Sequence, residues 1–162
     1  MNETIIIEKL EKIFYECDKH LKRIDSSSSE LKNIMPLDKE KYINLDEENI
    51  KVLDQFLFRF SKLQDAMGQK LFKMILLFLK EDIEGKPFID ILNLMEKLNI
   101  ISSTISWKEL RDDRNELAHN YEDEPEEMSE IINKLYEKRV ILSSIYLGIK
   151  SYYIQRSRDK GL

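Results

Sequence analysis

The stretch Arg114-Asn115-Glu116-Leu117-Ala118-His119-Asn120-Tyr121 is the part of this 162-residue sequence whose side chains could carry chemistry. An imidazole titrates near neutrality, so His119 can take or give a proton under physiological conditions. A guanidinium stays charged and can fork two oxygens of a phosphoryl group, which suits Arg114 to charge developing on phosphate. Asn115, next to Arg114, can orient either group. At about 100° per residue, Arg114 and His119 stand roughly 140° apart around an ideal helix. Asn115 and His119 share a face, as do Arg114 and Tyr121. Arg114 and His119 therefore meet only if the helix loosens near its end, if the arginine wraps round, or if two copies of the motif face one another.

This segment resembles the signature of HEPN domains: an Arg, a polar residue, several further positions, then a His. In the HepT-like branch a Tyr follows two positions after the His. Arg114, Asn115, His119 and Tyr121 match that order, with four residues between Arg114 and His119. A Trp-containing helix before the motif and a long helix after it fit the same layout, over about residues 47–155. The resemblance implies a homodimer with a composite, metal-independent RNA-cleaving site that needs no cofactor. Arg114 and His119 would be catalytic and Asn115 supporting. Attack by the 2′-hydroxyl would leave a 2′,3′-cyclic phosphate, and the substrate would be tRNA or mRNA. The resemblance also implies a cognate nucleotidyltransferase antitoxin that adds AMP to Tyr121, placing a bulky anion where an RNA phosphate would sit. A second reading is a non-catalytic HEPN binding module, partner or AMP acceptor of that transferase. A third is a helical dimerisation domain whose motif is coincidental.

Each residue also has a plainer role available. His119 could simply end a helix, where imidazolium is favoured by the dipole. Tyr121 could be a packing residue with its hydroxyl at the surface. Arg111 could assist Arg114 on phosphate, or pair at the surface with Glu109, Asp112 or Asp113. Trp107 and Cys17 read as core, and His20 as an exposed neighbour of the first helix's apolar stripe. Two histidines and one cysteine make no metal-ligand grouping, and no glycine-rich phosphate loop occurs.

Composition bounds these readings. Hydrophobic residues make up 42% and charged residues 35%, which fits a globular chain with its own core. The net charge of -5 works against nucleic-acid binding, whose affinity comes largely from Lys and Arg on phosphates; a local basic cleft would be required. The longest apolar run, Met74 to Leu79, is far too short for a membrane span. The first residues show no basic segment before an apolar stretch, and a lone cysteine suits a reducing compartment, so the expectation is a cytoplasmic protein without membrane contact.

With four glycines and three prolines the chain favours a few long helices. Ile6, Leu10, Ile13, Cys17, Leu21 and Ile24 form one face of a first helix, which the serine run Ser26–Ser29 is expected to stop. Residues 26–46 lack periodicity apart from a short helix around Lys39–Ile43. Asp46 caps a second helix running to about Leu79, with Gly68 inside it allowing a close contact or a bend. Pro87 opens a third helix to about Leu98. Ser106-Trp107-Lys108-Glu109 reads as a capping box opening a fourth helix toward His119. The acidic run from Glu122 is a turn, and Pro125 opens a fifth helix to about Gln155, its stripe interrupted by Lys138 and Arg139. The expected fold is an all-α antiparallel bundle of four to five helices: a single domain, 1–162, with residues 1–46 as N-terminal helix and irregular connection and 47–157 as the core with the motif.

Overall fold

The computed structural model describes residues 1–119 and 123–162; Asn120 and Tyr121 of the motif lie outside the described residues. Among the described residues all regular structure is helical. The helices are α1 (Glu3–Leu31), α2 (Lys39–Ile43), α3, α4 (Phe88–Lys97), α5 (Thr104–Leu117) and α6 (Pro125–Asp159). Helix α3 runs as Glu47–Ala66, passes through a π-helical segment, Met67–Leu71, and finishes as Phe72–Phe78. The all-α expectation holds, with six helices rather than four or five because the short α2 is counted.

The serine run does not stop α1. Ser27 and Ser28 are buried within the helix and donate to carbonyls one turn back, Ser27 to Arg23 at 2.6 Å and Ser28 to Asp25 at 3.1 Å. Back-bonding of this kind satisfies serine inside a helix. It lets α1 continue to Leu31, which is fully buried. The Tyr136 hydroxyl donates to the Ser28 carbonyl at 3.1 Å, tying this last stretch to α6. Beyond it, Asn133 of α6 accepts from the Leu37 N–H and donates to the Leu37 carbonyl, holding the connection that leads into α2.

Helix α3 starts as its sequence implies, with the Asp46 carboxylate accepting from the Asn49 N–H at 2.8 Å. Its buried positions include Leu63, Met67, Leu71 and Ile75, three successive steps of four. On a regular α-helix each such step drifts the stripe by about 40°. The wider π turn at Met67–Leu71 absorbs that drift and keeps one face on the core.

Ring and polar contacts define the directions. Phe14 meets Tyr153, and Asp18 meets Tyr146, so α1 and α6 are antiparallel. Glu16 pairs with Lys70 and His20 with Arg59, so α1 and α3 are antiparallel too. Helix α5 opposes both α3, through Trp107 on Phe72, and α6, through Asp113 on Lys138. Phe56, Phe60, Phe72, Phe78 and Tyr146 fill the interior between them. Lys138 and Arg139 interrupt the α6 stripe without entering the core. Lys138 reaches Asp113, and Arg139 lies 3.9 Å over the Tyr136 ring while donating to the Tyr136 carbonyl.

Candidate functional site

Helix α5 begins three residues earlier than its sequence suggests. Ser103 is the N-cap, accepting from Ser106 at 3.3 Å, and the Glu96 carboxylate from α4 accepts from the Thr104 N–H at 3.0 Å. A distant carboxylate completes the cap that Glu109 was expected to supply, and spacing along α5 could not reveal it. The helix is then set against α3 by Trp107, which is buried and packs edge-on against Phe72 with centroids 4.6 Å apart. Gly68 makes this approach possible: a Cβ there would stand 3.1 Å from Trp107 Cζ2. Arg114 follows Trp107 by seven residues, two helical turns, and Asp65 precedes Phe72 by the same interval on an antiparallel helix. The packed pair thereby brings Arg114 Nη2 to 2.9 Å from Asp65 Oδ2.

Around that ion pair lies an open groove of about 320 Å³ between α3 and α5, lined by Arg111, Arg114 and Asn115 from the motif helix and by Gln64 and Gln69 from α3. Arg111 is exposed. Asp113, one of its expected partners, is instead buried against Lys138 at 2.5 Å, locking α5 to α6. Three buried polar atoms of groove-lining residues, Gln64 Oε1, Trp107 Nε1 and Arg114 Nε, have no hydrogen-bond partner among the described residues. Buried polar groups are usually paired, so three such atoms around one groove set it apart from ordinary packing. Among the described lining residues, two cations against one carboxylate give a local charge of +1.

The structure brings Arg111, Arg114 and Asn115 together, and does not bring His119 into the same groove. His119 lies beyond the end of α5 in an exposed turn, its N–H donating to the Glu116 carbonyl at 3.1 Å. The angular spacing along the helix explains the separation. Tyr121 lies outside the described residues. Asp65, 49 residues before Arg114, was not expected at the site, and no local pattern marks it. Comparison with models of known families, with curated proteins and with solved structures gives no match. The functional reading rests on the chain's own residues.

His20 corrects another expectation. It is buried, not exposed, and its Nδ1 accepts from Arg59 Nη1 at 3.0 Å while Nε2 lies 3.7 Å from Glu16. Burial first, and the Arg59 charge second, hold its pKa below the usual imidazole value. This residue belongs to the α1–α3 contact, not to the motif groove. Trp107 and Cys17 are buried as expected. Among the described residues no cluster of His, Cys, Asp or Glu is placed to hold a metal ion, and no helix is long and apolar enough to cross a membrane.

Proposed function

We propose that this protein is a metal-independent endoribonuclease, the toxin of a HEPN/nucleotidyltransferase pair, acting at a composite site between two copies of the chain. The observation that carries this reading is the open groove in which Asp65 holds Arg114 beside Arg111 and Asn115, with an exposed histidine immediately beyond the end of the same helix. Arg114 stabilises the phosphoryl oxygens as negative charge grows in the transition state. One imidazole takes the 2′-hydroxyl proton as that oxygen attacks phosphorus, and a second protonates the departing 5′-oxygen. The products are a 2′,3′-cyclic phosphate and a 5′-hydroxyl. Because one motif supplies one imidazole, and His119 stands outside its own groove, a two-fold related copy provides the other proton-transfer group. Val140, Leu147 and Ile154, exposed on α6 at intervals of seven, offer an apolar stripe for such a copy. Tyr121 is the proposed acceptor for AMP from the antitoxin.

The alternative, a non-catalytic module serving as partner or AMP acceptor of the transferase, is favoured by the same ion pair. Asp65 neutralises the guanidinium on which the enzyme depends. Incubating the full-length protein with total RNA in excess chelator separates the two. The nuclease yields fragments ending in cyclic phosphate, and Arg114→Ala or His119→Ala removes them. Intact RNA with wild-type protein sinks the catalytic reading and leaves the module.

A further inference from the structure

A second groove, of about 450 Å³, runs between α1 and the later part of α3. Its rims carry Lys9 and Lys12 from α1 and Lys70 and Lys73 from α3, all exposed. Its one acidic lining residue is Glu16, 3.1 Å from Lys70. The floor is apolar, formed by side chains such as Ile13, Met74 and Leu77. Gln69 lines both this groove and the one that holds Arg114, so the two adjoin across α3. At α-helical rise, Asp65 to Lys73 spans roughly 12 Å.

The charge distribution is what singles this surface out. Among the described lining residues, the two grooves together hold six cations and two carboxylates, a local charge of +4 on a chain whose total is -5. Lysines three residues apart on each of two facing helices repel one another, and one carboxylate does not offset four of them. Packing does not call for them either, since they are exposed. Such an arrangement matches a ligand that brings a row of negative charges.

We infer that this lysine-rimmed groove is a track for single-stranded RNA that delivers the strand to the Arg114 groove; the inference rests on the proposed function and names how its substrate is held. Phosphates sit against the lysines while unpaired bases face the apolar floor, an arrangement that tolerates any sequence. A duplex would keep its bases away from that floor. Two adjoining concave grooves, one of them holding Arg114, also fit a strand better than a lipid surface. The track supplies the local basic cleft that an acidic protein needs for RNA.

The test measures binding of a fluorescein-labelled, 2′-O-methylated 20-nucleotide oligouridylate, which cannot be cleaved through its 2′ position. The proteins are the wild type, the triple variant Lys9→Ala/Lys12→Ala/Lys73→Ala, and the same three sites changed to Arg, each checked for an unchanged thermal melt. The alanine variant is expected to bind at least about tenfold more weakly, with the slope of log K against log salt shallower by about 2, while the arginine variant binds like wild type. Wild-type affinity in the alanine variant, or no binding by the wild type, overturns the track. So does preferential binding to phosphatidylserine vesicles. If the alanine effect appears but wild type leaves unmodified RNA uncut, the nuclease reading fails and the track stands. If the alanine variant cuts RNA with unchanged KM, the track fails and the nuclease stands.

Discussion

Removing the charge of Asp65 separates the two ways in which its contact with Arg114 can act. Asp65→Asn keeps a side chain of the same shape and an oxygen able to accept from Arg114 Nη2, now 2.9 Å away, but takes away the countercharge. The two side chains are 30% and 34% exposed, so solvent screens the pair and its loss costs no more than about 0.5–1 kcal/mol of stability. For a chain of this size that is a fall of about 1–4 °C in Tm. The larger effect falls on the groove, whose local charge doubles from +1 to +2. A phosphate about 4 Å from the vanished carboxylate, in a largely solvated site, gains about 1 kcal/mol, or roughly a fivefold increase in affinity. The salt dependence should also steepen, by about 0.7 in the slope of log K against log salt. Anisotropy with uncleavable single-stranded RNA from 50 to 300 mM salt, alongside a melt followed by circular dichroism, reads both quantities. An affinity that stays the same or falls, in a protein that melts within a few degrees of wild type, refutes the idea that Asp65 competes with phosphate for Arg114.

Other consequences concern the scaffold. Tyr146 is fully buried and its hydroxyl lies 2.6 Å from Asp18 Oδ1 and 3.1 Å from the Phe14 carbonyl, so Tyr146→Phe should cost about 1.5–3 kcal/mol, seen as a Tm lower by about 3–12 °C. A melt unchanged to within 1 °C would mean that this hydroxyl does not hold α1 to α6. His20 has a pKa held low in the folded state by burial and by Arg59 and Lys62, against the opposing pull of Glu16. The unfolded chain then binds the proton first as pH falls through about 6.5, so the stability linked to His20 is present above that pH and lost below it. His20→Gln should remove this part of the acid sensitivity between pH 7 and 5, and parallel stability curves for variant and wild type would contradict it. Cys17 is fully buried with its thiol pKa pushed up to about 12 by burial and by Glu16 and Asp18, so maleimide at pH 8 should label it only after denaturant is added. Labelling of the native protein at the rate of an exposed thiol would show that the α1 core opens.

Periodicity alone located most helices, because each buries one face and so repeats its apolar residues every three or four positions. Asp46 and Pro125 marked helix starts for local reasons that sequence carries. The short α2 was expected because a structureless connection that long is unusual in a compact domain; its cap, Asp38 accepting from the Lys41 N–H at 2.8 Å, was not read from the sequence. The end of α1 was not, because burial against α6 overrode the poor helix propensity of a serine run. The start of α5 was missed because Glu96, on another helix, completes its cap.

At the site, the identities of Arg111, Arg114, Asn115 and His119 are matters of sequence, and so is the angular problem of bringing Arg114 to His119. What lies opposite them is not. Asp65 meets Arg114 because Trp107 seats on Phe72 beside a glycine with no side chain to block it, and equal seven-residue intervals on antiparallel helices carry that register two turns further. Lys9 and Lys12 join Lys70 and Lys73 only once α1 lies along α3. Sequence by itself determined which helices form and which residues could do chemistry, since both follow from local pattern and side-chain type. Only the tertiary structure decided which charges stand together, because through-space distance between residues far apart in sequence is set by packing.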